Sequence, residues 1–133
     1  MAMKKGVKAL VEEATAEIKT YPVEQAIALH AADGAVFVDV RDIRELEHDG
    51  VIPGAVHAPR GMVEFWIDPE SPYFRDVFAQ DKEYVFFCAV GWRSALVTKA
   101  VQDMGMTRVA HVGGGFAAWK AAGGPVAAKS RRP

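Results

Sequence analysis

The stretch EYVFFCAVGWRSALVTKAVQDMG, residues 83–105, changes its periodicity halfway along. Residues 83–88 form a short apolar run that ends at Cys88, which predicts a buried strand. From Ser94 onward, Leu96, Val97, Ala100, Val101 and Met104 fall on one helical face, and Gly105 closes the segment. A strand that feeds directly into a helix is the step from which α/β sheets are built.

The same alternation continues on both sides. AVFVDV at 35–40 is a second β-branched run, and RVAHV at 108–112 is a third. Between them RDIRELEHDG reads as a short polar helix ending at Gly50, and VIPGAVHAP mixes turn residues with a strand around 55–57. Residues 60–80 are irregular: GMVEFW is one or two helical turns, and DPESPY is a loop. GGG turns the third strand into a last short helix, FAAWKAAGG. At the front, Val7, Leu10, Val11, Ala14 and Ile18 form one stripe of an amphipathic helix over 5–18. Pro22 opens a second helix that Asp33-Gly34 stops. The expectation is one α/β domain with a largely parallel sheet.

Bulk properties narrow the function classes. The 133 residues are half hydrophobic and carry a formal net charge of −1, so nothing points to nucleic acid or an anionic membrane. One cysteine cannot form an intramolecular disulfide and fits a reducing compartment. No run of about 18 apolar residues predicts a membrane span, and the expected location is cytoplasmic. His30, His48, His57 and His111 are scattered without metal-ligand spacing, so no metal site is expected. Each reads as a surface or satisfied core histidine, with only His57 placed near the site. VGGGF lacks the pattern of a phosphate loop and reads as a turn.

The lone cysteine carries the chemistry. In an open parallel sheet ligands bind beyond the carboxyl ends of the strands, where Cys88 should lie. Gly91 can take a positive φ and turn backbone N–H groups inward. The helix start adds unpaired N–H groups and a dipole end that favours an anion by about 0.3–1 kcal/mol, up to about 2 when partly buried. The loop residues Ala89, Val90, Gly91, Trp92, Arg93 and Ser94 would then form an anion cradle with a thiolate nucleophile at its centre. A buried cysteine that merely packs is the competing reading.

CAVGWRS resembles the active-site loop of single-domain rhodanese-like sulfurtransferases, which often reads Cys-x-x-Gly-x-Arg-Ser. FVDVRDIRELEHDGVIPGAVHAP resembles that family's Asp-Val-Arg and Ile-Pro-Gly-Ala segments, and VGGGFAAWKAAGGPV its closing Gly-Gly-x-x-x-Trp segment. The match spans roughly residues 22–126. It departs at Gly50-Val51, where the family commonly has Gly-His. The resemblance implies a three-layer fold with about five strands: an N-terminal helical extension at 1–20, the domain at 21–126 and a flexible tail at 127–133.

It also implies a Cys88 persulfide, with no other cofactor. The sulfur donor would be a small anion such as thiosulfate, and the acceptor cyanide, a thiol or a partner protein. Arg93 is the nearest candidate cation for the donor, and Arg60, beyond the strand at 55–57, the second. Asp39 and Arg41 read as supports of the loop, Asp39 by holding its backbone, by pairing with Arg93 or by capping the next helix. With no second cysteine, the acceptor must be external. Trp92 reads as exposed near the mouth, and the N-terminal helix leaves self-association open. Two rivals stand: a non-catalytic binding module, and a phosphatase or arsenate reductase. The latter carry Cys-x5-Arg, whereas Cys88 to Arg93 is Cys-x4-Arg, a smaller cradle.

Overall fold

The computed structural model describes residues 1–130. Calls on residues 131–133 lie outside the described residues. The chain runs α1 (Val7–Glu17), β1 (Lys19–Tyr21), α2 (Val23–Ala31), β2 (Ala35–Asp39), α3 (Ile43–Asp49), β3 (Val56–His57), a 3₁₀ turn (Arg60–Met62), α4 (Val63–Ile67), a second 3₁₀ turn (Asp76–Ala79), β4 (Glu83–Phe87), α5 (Trp92–Asp103), β5 (Val109–Val112) and α6 (Gly115–Ala121). The five strands make one parallel sheet in the order β1-β5-β4-β2-β3. This is the single α/β domain with a parallel central sheet that the alternation of strands and helices predicts.

β4 sits at the centre and is buried on both faces, which is why its sequence is a continuous apolar run. Its side chains alternate between two cores. Tyr84, Phe86 and Cys88 join Val97 and Val101 of α5 and Val63 and Ile67 of α4. Val85 and Phe87 face Ala26 of α2 and Phe116 and Trp119 of α6. The sheet is thus the middle of three layers. α1 lies outside α5, burying Val11 and Ala14 against Ala95.

β1 is the strand that the periodicity did not show. Lys19–Tyr21 has only three residues and little apolar content, as a short edge strand can. It pairs with β5 through Thr20 opposite His111. The sheet therefore begins inside the segment expected to be a helical extension. At the other end, Ala127 pairs with Val51 through two backbone hydrogen bonds of 2.8 and 2.9 Å. Trp119 Nε1 donates to Pro125 O at 2.9 Å. The chain is tied down through the first residue of the expected tail. Val51, which departs from the family's histidine, spends its backbone on this bridge.

α3 starts on a capping box. The Asp42 side chain accepts from the Arg44 N–H, and Glu45 accepts from the Asp42 N–H at 2.9 Å. Asp42, not Asp39, caps this helix.

Candidate active site

Cys88 follows the last residue of β4, at the carboxyl edge of the sheet, and is only 1% exposed. Gly91 sits at φ +104°, the left-handed region, and forms the N-cap of α5. That turn brings two backbone donors onto the sulfur: the N–H groups of Gly91 at 3.2 Å and Ser94 at 3.3 Å. Ser94 Oγ lies 3.5 Å from the same sulfur. The loop thus wraps Cys88 Sγ in donors, at the end of a helix whose dipole favours negative charge.

A second helix aims the loop from behind. The Phe116 N–H donates to Cys88 O at 2.8 Å, and the Ala117 N–H to Ala89 O at 3.0 Å. With the Cys88 and Ala89 carbonyls held by α6, the first residues of the loop are fixed in place beneath the turn at Gly91. Gly115 makes this approach feasible. It has φ +60°, and a Cβ there would lie 2.5 Å from Cys88 O and 2.8 Å from the Ala89 carbonyl carbon. GGG is a turn, as its composition suggested, and it is also a contact surface for the cysteine loop.

Asp39 and Arg41 form one buried unit, each about 1% exposed. The Asp39 carboxylate accepts from the Arg41 N–H, Nε and Nη2, with Nη2–Oδ2 at 2.8 Å. Nη2 also donates to Gly50 O, and the guanidinium lies 4.1 Å over the Phe116 ring. The unit therefore links β2, the end of α3 and the start of α6. His57 Nε2 lies 2.7 Å from Arg41 O. Asp39 is not paired with Arg93.

Arg93 faces Glu45 instead. Its two Nη atoms bind the carboxylate at 2.7 and 2.9 Å. This fork braces α5 against α3, holds the Glu45 carboxyl below the usual carboxylate range and raises the Arg93 guanidinium. Arg93 stays 38% exposed at its side chain and keeps its positive charge beside the loop. Arg60 is ion-paired with Glu64 at 2.8 Å on the next turn of helix. Its backbone is anchored near the loop, since the Arg60 N–H donates to Val40 O. Val90 and Trp92 are exposed at 61% and 46%, the tips of the loop. A cleft of about 220 Å³ opens beside Ala89, Val90 and Phe116, with Arg41 and Lys120 on its walls.

Three site residues escaped the sequence reading. Glu45 was hidden in a polar helix, although Asp42-x-x-Glu45 is a capping-box spacing. His111 is buried, with Nδ1 3.0 Å from Ser94 Oγ and Nε2 3.0 Å from Thr20 Oγ1. Burial lowers it to about 4, so the ring is neutral near neutral pH. Thr20 belongs to the unrecognised strand, and no sequence signal joined it to Cys88. Among the described residues no cluster of side chains suits a metal ion, and no helix is long and apolar enough to cross a membrane.

Comparison with known proteins assigns the class of a chain with this loop, sheet order and set of supports. A family model, Rhodanese-like domain, matches residues 22–122. The chain belongs to the rhodanese-like domain family. "Putative sulfurtransferase YtwF" of Bacillus subtilis is 36% identical over 104 residues, covering 78% of this chain and 89% of that protein. The human "Thiosulfate:glutathione sulfurtransferase" is 28% identical over 106 residues, covering 75% and 91%. Among solved structures, a Rhodopseudomonas palustris protein of unknown function, RPA3614, described as "Possible Tyrosine Phosphatase", superposes with a TM-score of 0.92 at 52% identity, covering 96% and 98%. Both curated relatives carry sulfurtransferase names.

Proposed function

We propose that the protein transfers sulfane sulfur through a persulfide on Cys88, from a small anionic donor such as thiosulfate to an external thiol or cyanide. The observation that carries the reading is the sulfur of the sole cysteine, held by the Gly91 and Ser94 N–H groups at the carboxyl edge of the sheet. Those donors favour the thiolate, which is the nucleophilic form. In the first half-reaction the thiolate attacks the outer sulfur of thiosulfate. The new S–S bond forms as the bond to the sulfonate sulfur breaks, and sulfite leaves with the electron pair. In the second, an acceptor thiolate attacks the outer sulfur of the persulfide and Cys88 leaves as thiolate. The shared covalent intermediate predicts ping-pong kinetics. No separate cofactor is needed, because the sulfur itself is carried covalently.

Charge placement fits an anionic donor. Loop N–H groups face the sulfur, and the Arg93 guanidinium, braced by Glu45, adds positive charge at the start of α5. The cleft walled by Arg41 and Lys120 offers the acceptor an approach next to the loop. The phosphatase reading is favoured by the description of the Rhodopseudomonas protein, yet the loop opposes it. It has four residues between Cys88 and Arg93, one fewer than the Cys-x5-Arg cradle of those phosphatases. The binding-module reading leaves the donor-wrapped thiol without a use.

Incubation with thiosulfate followed by intact-mass spectrometry tests this. The expected result is a gain of one sulfur atom, release of sulfite and reversal by dithiothreitol, all absent from Cys88→Ser, which keeps the fold. A protein that gains no sulfur, or a Cys88→Ser variant that still transfers it to cyanide, sinks the proposal. Robust hydrolysis of an aryl phosphate would favour the phosphatase instead.

A further inference from the structure

The contacts of Cys88 do not stop at the loop. From its sulfur a chain runs through Ser94 Oγ at 3.5 Å, His111 Nδ1 at a further 3.0 Å, and from His111 Nε2 to Thr20 Oγ1 at 3.0 Å. It crosses from β4 through the start of α5 and β5 to the edge strand β1. Ser94 and His111 are buried, whereas Thr20 is exposed.

The hydrogens along such a chain are set together. A neutral imidazole has one donor and one acceptor nitrogen, and burial keeps this ring neutral. When the Thr20 hydroxyl donates to Nε2, the ring proton sits on Nδ1 and donates to Ser94 Oγ. The Ser94 hydrogen then remains to donate to the sulfur. When the ring proton sits on Nε2, the Ser94 hydroxyl donates to Nδ1, and its oxygen can only accept from a thiol S–H. The first arrangement suits the thiolate, the second the thiol.

We infer that Thr20 and His111 are positioning residues which, acting through the Ser94 hydroxyl, supply the Cys88 thiolate with a third hydrogen-bond donor. The inference rests on Cys88 being the nucleophile. It goes beyond the cradle because it places a determinant of the thiolate on the outermost strand. Thr20 is separated from Cys88 by two intervening side chains. Removing its hydroxyl frees the ring to take the other tautomer, and the Ser94 hydrogen turns away from the sulfur. The charged and titratable groups around the chain are Arg93 with its partner Glu45, the Asp39–Arg41 pair, and Lys19 and Tyr21 flanking Thr20. All are retained in Thr20 variants.

The test follows the ultraviolet absorbance of the thiolate against pH, with Cys88→Ser as the blank. The chain has one cysteine, so the signal has one source. Thr20→Val keeps the branched shape on an exposed edge strand and removes only the hydroxyl. At fixed pH within the transition it should lower the thiolate-to-thiol ratio by about three- to tenfold, the value of one hydrogen bond, while Thr20→Ser should stay within about twofold of the parent. Thermal unfolding of each variant confirms the fold. A Thr20→Val curve that superimposes on the parent's, or a Thr20→Ser curve displaced as far as that of Thr20→Val, overturns the inference. Sulfur loading by thiosulfate is read on the same samples. A parent that loads sulfur beside an unchanged Thr20→Val titration defeats this inference alone. A parent that does not load defeats the nucleophile assignment and this inference with it.

Discussion

Asp39 and Arg41 illustrate how a charge can be kept in a dry place. Every Asp39 contact described above comes from Arg41, and Arg41 adds a backbone carbonyl and an aromatic face. Removing one partner strands the other without water. Asp39→Ala should therefore destabilise the protein by about 3–5 kcal/mol, whereas replacing both residues by apolar side chains of similar volume should recover much of that. Urea denaturation of the single and double variants checks this. A single variant within about 0.5 kcal/mol of the parent would show the pair to be dispensable. At this scale the sequence was partly readable. Asp39 and Arg41 were marked as supports, but their mutual pairing, and that of Arg93 with Glu45, were not. A side chain's partner is chosen by which elements pack together, and Glu45 lies 48 positions from Arg93.

Among the elements, α5 and α6 divide the work on the cysteine loop. The start of α5 gives N–H groups to the sulfur, and the start of α6 takes the loop's carbonyls. The fit between α6 and the loop depends on Gly115. Gly115→Ala places a Cβ 2.5 Å from Cys88 O at φ +60°, where an L side chain is also strained. We expect about 2–4 kcal/mol of lost stability and a sulfur-loading rate at least about tenfold lower, since the loop must shift. Gly61→Ala is the control. Nothing lies within 4 Å of its Cβ, and it should change stability by less than about 0.5 kcal/mol. Equal behaviour of the two variants in thermal melts and loading assays would refute this account of the loop. The helices and central strands were legible because their apolar residues repeat with a clear period. β1 was not, because three residues are too few to show one.

Over the whole molecule, His111 couples acidity to stability. In the unfolded chain a histidine takes its proton near 6.5, and in the fold His111 takes it only near 4. Between those values the unfolded state binds more protons, so stability rises with pH and is lost on acidification. The loss should approach about 3 kcal/mol by pH 4, with a slope of about 1.4 kcal/mol per pH unit. Denaturation midpoints between pH 4 and 7 measure it, and His111→Gln, which cannot charge, should flatten the slope. An unchanged slope in that variant would assign the effect elsewhere. The sequence left this histidine as either a surface or a satisfied core residue, and its partners Ser94 and Thr20 lie 17 and 91 positions away. The sequence by itself determined the alternation of strands and helices, the placing of Cys88 at a strand end before a glycine turn, and the Cys-x4-Arg spacing. These are local: they follow from side-chain periodicity and the backbone freedom of single residues. Only the tertiary structure decided that β1 completes the sheet, that Glu45 holds Arg93, that Gly115 seats α6 on the loop, and that Thr20 reaches the sulfur through His111. Those contacts join segments far apart in the chain, and they arise from sheet order and helix packing, which no local pattern records.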